Sequence, residues 1–193
     1  MVALVLLGVA ACDVSTPGIA QTGSSVSQST SPTPTQSTTH QPSPRPRPVR
    51  MDGLNPCELL SQQQLRQFAI DSPARPGRST AYKAPTCDYS SHATMTGVRV
   101  TPVPAMGIDL FAPGRTQGDV EPRTVQGFPA FQDHINGSPV GNDFCNVTVD
   151  VADGQVLDVG FFEVSIERPL GSEVVCQKAN DVANAAMTTL LSR

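Results

Sequence analysis

The spacing of apolar residues divides this chain into segments of different kinds. Leu4–Cys12, LVLLGVAAC, is a continuous apolar run that stops after about ten residues, short of the roughly 20 that a membrane-spanning helix needs but suited to the apolar core of a secretory signal. Beyond it periodicity disappears, and SSVSQSTSPTPTQSTTHQPSPRPRPVR has almost nothing to bury and does not fold alone. A helical period begins in NPCELLSQQQLRQF. Asn55 is placed to cap, Pro56 takes the first helical position and Glu58 the third, Leu60, Leu65, Phe68 and Ala69 face inward, and Asp71-Ser72-Pro73 ends the helix. A second helix is expected from a Ser172 cap to Leu191, with Val175, Ala179, Val182, Ala183, Ala186 and Leu190 on its buried face.

Between the helices the period drops to two. In CNVTVDV, Cys145, Val147, Val149 and Val151 share one face and Asn146, Thr148 and Asp150 the other, as in a half-buried antiparallel strand. Asp153-Gly154 suggests a two-residue hairpin turn, but that register sets Val149 against Asp158 and the faces disagree. The pattern therefore predicts a three-residue loop, Asp153 to Gln155, pairing Val151 with Leu157 and Val149 with Val159, or a bulge nearby. Further strands are expected at Thr86–Ser90, Val98–Val103 and Thr124–Gln132, with the Gly/Pro-rich stretch Ala105–Gly118 as a connection. The order predicts an α+β domain, an antiparallel sheet of about five strands with an N-terminal and a C-terminal helix packed on one face. Three parts follow: a leader over residues 1–11, a tether over 12–54 and one folded domain over 55–193.

The end of the apolar run sets the chain's destination. Val9-Ala10-Ala11-Cys12 resembles the bacterial lipobox, in which the cysteine thiol is diacylglycerated, the leader is removed and the cysteine becomes the lipidated first residue. Cys12 is thus the expected lipidation site and the membrane, through that anchor, an expected partner; two or more acyl chains hold stably where one is marginal. No Lys or Arg precedes Leu4, although a signal begins with positive charge, so the natural start is expected upstream of Met1. A tether of about 38 residues spans roughly 35 Å as a coil, enough to lift a domain off the membrane. Arg45, Arg47 and Arg50 lie far along it and are read as solvated rather than bound to headgroups. The Ser/Thr/Pro tract also permits O-glycosylation. From Cys57 onward the chain carries fifteen Asp and Glu against ten Lys and Arg with no basic stripe, which argues against a nucleic-acid partner.

NPCELLSQQQLRQF, APTCDYS, VQGFPAF, CNVTVDVADGQVLDV and CQKANDVANAAMTTL, together with the lipobox, resemble the actinobacterial cell-envelope lipoproteins grouped as domain of unknown function 3558. Where members carry Trp two residues after the second domain cysteine, this chain has Tyr89. The resemblance implies a secreted, lipid-anchored, disulfide-bonded domain and brings no catalytic residues with it. Setting Cys12 aside, Cys57, Cys87, Cys145 and Cys176 allow three pairings. Cys57 and Cys176 fall in first helical turns and Cys87 and Cys145 on inward strand faces, so Cys57–Cys176 and Cys87–Cys145 are expected. Loops that long would each add about 4 kcal/mol or somewhat more. No Cys-x-x-Cys and no nearby His suggests a metal or redox site, and no cofactor is expected.

Catalytic motifs are sparse. His40, His92 and His134 are the histidines, and no Gly-x-Ser-x-Gly, His-Glu-x-x-His or phosphate loop occurs. Asp133, His134 and Ser138 crowd one turn, where a triad rarely converges. Asn136-Gly137-Ser138 and Asn146-Val147-Thr148 match glycosylation sequons, read as chance beside a lipobox. The expected function is a binding module of the cell envelope that takes a small ligand or an envelope protein, with no catalytic residues. Ala105–Gly118 and Asp133–Asp143 are its expected pocket rim or contact surface. A purely structural envelope protein ranks second and a hydrolytic enzyme third. A cleft holding His92 or His134 beside a carboxylate would favour the enzyme.

Overall fold

The computed structural model describes residues 44–135, 143–164 and 169–193. The leader, Cys12 and most of the tether lie outside the described residues. So do Asn136 to Asn142 of the expected rim, with the first sequon.

Seven antiparallel strands form one sheet, in the order β1-β2-β3-β7-β6-β5-β4. They are β1 (Arg75–Arg78), β2 (Pro85–Ser91), β3 (Thr96–Val103), β4 (Asp119–Val125), β5 (Phe128–Ile135), β6 (Phe144–Ala152) and β7 (Gln155–Glu163). Two meanders, β1 to β3 and β4 to β7, meet edge to edge where β3 pairs with β7. The expected count of about five is corrected to seven. Arg75–Arg78 is exposed at every position and has no alternation to betray a strand. The expected strand Thr124–Gln132 is two strands joined at Gln126-Gly127, both with positive φ (51° and 82°), a turn geometry whose twist matches a hairpin.

The alternation read in β6 holds. Cys145, Val147, Val149 and Val151 are fully buried on one face, with Val98 and Val100 of β3 and Leu157, Val159 and Phe161 of β7 beside them. Of the two arrangements expected for the hairpin, the structure has the bulge and not the three-residue loop. Ala152 pairs with Gln155 across a two-residue turn, and an irregularity at Val151 returns Asp150 to Val156 and Val149 to Leu157. One extra residue in β6 thus reconciles the tight Asp153-Gly154 turn with the faces, as a bulge does.

Helix α2 (Ser172–Leu191) buries Val175, Ala179, Val182, Ala183, Ala186 and Leu190 on this face. Gly171, not Ser172, is its N-cap, with no side-chain cap bond. The N-terminal helix is corrected more deeply. Asn55 caps only a 3-10 turn, Pro56–Glu58, and Ser61 starts a new short helix α1 (Gln62–Gln67) with a full capping box to Gln64. Leu59 and Leu60 are both buried, 0% and 4% exposed, and this break turns both toward the core as one regular helix would not. Ala69 is exposed at φ 56°.

The disulfides are Cys57–Cys87 and Cys145–Cys176, not the expected pairs. Cys87 and Cys145 share a sheet face, but β2 and β6 are three strand spacings apart, about 14 Å, beyond the reach of a disulfide. Each bridge instead joins the sheet to the helical layer above it. The loops close over 30 and 31 residues, so each contributes about 3.5 kcal/mol in the chain-entropy model.

The start of the folded part also moves. Residues 44–54, expected to be tether, run along the domain. Val49 N donates to Val151 O at 2.7 Å, Met51 is 2% exposed with its N–H on Gln155 Oε1 at 2.8 Å, and Arg47 donates to Leu191 O at 3.2 Å. Arg45, read as solvated, bonds Asp150 at 2.6 Å and also Asp153. Val49 and Met51 supply the apolar anchors that the Pro/Arg composition hides.

The other sheet face is covered by the connection from β3 to β4, residues 104–118, which crosses from the middle of the sheet to its far edge. Phe111 in its short 3-10 turn packs with Val103 and Val156, joined by Tyr82, Met106, Ile108 and Phe131.

Candidate functional site

The helix-facing side of the sheet is apolar under α2 and turns polar where β5 and β4 extend past it. Register pairs Asp119 with His134, Glu121 with Gln132 and Arg123 with Ala130, all in phase with the buried Ala130 and Val125. Opposite them, Ser172, Glu173, Cys176, Gln177 and Asn180 recur on one face of the first turns of α2. Together these residues line a cleft of about 690 Å³. Apart from the Cys176 half of a disulfide, each lining side chain is polar or charged.

Hydrogen bonds fix the inner walls. Arg123 spans Glu121 and Gln132, with Nε on Gln132 Oε1 at 3.3 Å, and Asn180 Nδ2 joins that same oxygen to Cys176 O. The Cys145–Cys176 bridge pins the helix wall to β6, one strand from His134, which is the register partner of Cys145. His134 Nε2 lies 3.0 Å from Asp143 Oδ1, and the two side chains are 14% and 21% exposed. A cleft with His134 beside a carboxylate is therefore present.

Asp133 faces the opposite side of the sheet, where burial raises its carboxyl, and Thr116 lies close enough to favour its charge. Among the described residues neither Asp133 Oδ1 nor Thr116 Oγ1 has a partner in good hydrogen-bond geometry. A Cβ on Gly118 would fall 1.9 Å from Asp133 Oδ1, so only glycine lets the chain pass there into β4.

His92 is elsewhere and forms a surface trio. Its Nδ1 lies 2.9 Å from Ser72 Oγ and 3.3 Å from Asp71 Oδ1. A nucleophilic triad needs serine and carboxylate on opposite ring nitrogens, and here both meet the same one. The backbone N–H groups of His92 and Ala93 bond the Asp71 carboxylate and hold it down to about 2, so the trio is a turn clasp. Asn146 of the second sequon lies mid-strand in β6, and the Thr148 hydroxyl is spent on Asp158.

Among the described residues no group of three or more His, Cys, Asp or Glu is placed to hold a metal, and no helix is long and apolar enough to cross a membrane. Sequence reading named His134 and missed the rest of the cleft. Its signal is the alternation Glu121-x-Arg123 and Gln132-x-His134, polar residues in the phase that is apolar elsewhere.

A family model described as Protein of unknown function (DUF3558) matches residues 7–189. No curated protein and no solved structure matches the chain.

Proposed function

The chain belongs to the family DUF3558, and from that premise we propose that it is an actinobacterial, extracytoplasmic lipoprotein, anchored through Cys12, whose folded domain binds a small hydrophilic ligand in the cleft between β4, β5 and α2. The observation that carries the binding reading is the lining itself. An open cleft walled by amide, carboxylate, guanidinium and imidazole groups suits a ligand with many hydroxyl or amine groups and offers little to an apolar one. A rigid, disulfide-pinned frame holds those groups in place without the ligand, which lowers the ordering cost of binding.

Equilibrium dialysis of the full chain against a water-soluble envelope extract tests this. Wild type should concentrate a hydrophilic compound, and the double variant Glu173→Lys with Gln177→Lys should not, since both residues are exposed and their exchange leaves the fold intact. Equal partition into wild type and variant would refute the site. The anchor is tested separately: Cys12→Ala, with a complete leader, should leave the membrane fraction in a high-salt wash. Retention there would refute lipidation at Cys12.

A second reading, hydrolysis of the bound compound, is favoured by the His134–Asp143 contact at the cleft. It predicts that the retained compound is recovered cleaved, and that His134→Ala restores the intact form.

A further inference from the structure

We propose that residues 104–118, crossing the back of the sheet, form a proton-operated cover, shut over a protonated Asp158 carboxyl and loosened when that carboxyl ionises. This is independent of the cleft reading, and it rests on what surrounds Asp158. The side chain sits in the middle of β7 and is 3% exposed. The polar groups nearest it are neutral hydroxyls: Thr148 of β6 donates to Oδ1 at 2.8 Å, and the Tyr82 hydroxyl, from the turn before β2, lies close enough to favour its charge. On β3 its register partner is Thr101, whose own hydroxyl is bonded to Thr86 at 2.9 Å.

The charged groups around it do not neutralise it. Arg99 of β3 lies on the same face, but its Nε is committed to Asp88 at 2.7 Å. Asp133 of β5 repels it, and Asp150 of β6 is held by Arg45. The charged residues of the cover, Asp109 and Arg115, are exposed.

Tyr82 links the carboxyl to the cover. Its hydroxyl reaches Asp158, and its ring packs edge-on against Phe111, with centroids 5.8 Å apart. Met106, Ile108 and Phe111 fasten the cover by apolar contact alone to Val103, Val156 and Phe131. Lifting it would expose the Asp158 carboxyl that this packing keeps dry.

Burial pushes Asp158 up to about 6 from an ordinary 3.8. With the cover open, water returns the group toward its ordinary value. Below that value both states hold the proton; between it and about 6 the closed state alone does, so closure is favoured; above about 6 both are ionised and that advantage is gone. Asp133, also raised by burial at the end of the cover, acts in the same direction.

Hydrogen exchange on the full chain tests the cover. The amides of Leu110, bonded to Gly107 O at 3.2 Å, and Arg115, bonded to Ala112 O at 2.9 Å, report it. Corrected for intrinsic rates, their protection should fall about 10-fold from pH 5 to pH 7.5 in wild type, the change that the two values imply. In Asp158→Asn the fall should be smaller, leaving only what Asp133 contributes, and in Asp158→Asn with Asp133→Asn protection should not vary with pH. Should either variant fail to fold, a carbon NMR titration of Asp158 in wild type decides: a midpoint near 6 supports the cover. Unchanged protection in wild type, persistent pH dependence in the double variant, or a midpoint near 3.8 would each overturn it.

Discussion

Replacing Cys145 and Cys176 together by alanine should lower stability by about 3.5 kcal/mol, and by more where the lost sulfur packing leaves a void. The loop they close spans 31 residues, and both sulfurs sit in the main core, with Cys145 fully buried and Cys176 7% exposed. The bridge also holds the first turns of α2 over the sheet, where Gly171 provides no side-chain cap. The variant should therefore lose order first at Ser172–Asn180, the helix wall of the cleft. Urea unfolding of the variant beside wild type measures the loss, and exchange protection along α2 locates it. A loss below about 1 kcal/mol would show that the bridge adds little to a helix already seated by Val175, Ala179 and Val182.

Arg45→Ala should cost about 2–3 kcal/mol, a large effect for a residue in a stretch that reads as spacer. Asp150 is only 7% exposed on its side chain, while Arg45 is 24% exposed. Burial raises the Asp150 carboxyl, and the Arg45 bond pulls it partway back. Removing one partner of a buried pair costs about 3–5 kcal/mol; the partial exposure of Arg45 reduces this. Without Arg45 the carboxyl rises further. A group whose folded value is raised stabilises fully below its unfolded value and loses that stability as pH climbs through the folded one. The deficit of the variant should therefore be smaller at pH 4 than at pH 7. Thermal or urea unfolding at the two pH values checks both magnitude and sign. Arg45→Lys should recover only part of the loss, because a single ammonium does not reproduce the fork that meets Asp150 and Asp153 together.

Much of the core was legible because burial imposes period. Cys145 to Val151 and the inner stripe of α2 read correctly from spacing alone, since each presents one apolar face to one partner. The reading failed where a residue's neighbour, not its own period, decides its role. Disulfide pairing depends on strand order, and nothing local in Cys87 or Cys145 says that two strands lie between theirs. Leu59-Leu60 breaks a helix that Asn55, Pro56 and Glu58 signal well, because both leucines are drawn to the core. Residues 44–54 hide the buried Met51, the half-buried Val49 and the two ion pairs of Arg45 inside a composition that otherwise marks disorder. The cleft was partly visible: Gln132 and His134 keep the alternation of β5 but place polar groups on the face that Ala130 and Phe128 bury. Tyr89 shows the converse. It is 1% exposed, with a hydroxyl that has no hydrogen-bond partner among the described residues, so an apolar phase in β2 conceals a buried polar group.

The central claim is that a hydrophilic compound is held, unaltered, between α2 and the outer strands. Amide chemical-shift mapping of the full chain with the compound retained in dialysis tests it most directly. The account predicts shifts confined to Asp119–Arg123, Gln132–His134 and Ser172–Asn180, with the compound recovered at its original mass. Shifts centred instead on the opposite sheet face, around Tyr82 and Phe111, or recovery of a cleaved product, would contradict it.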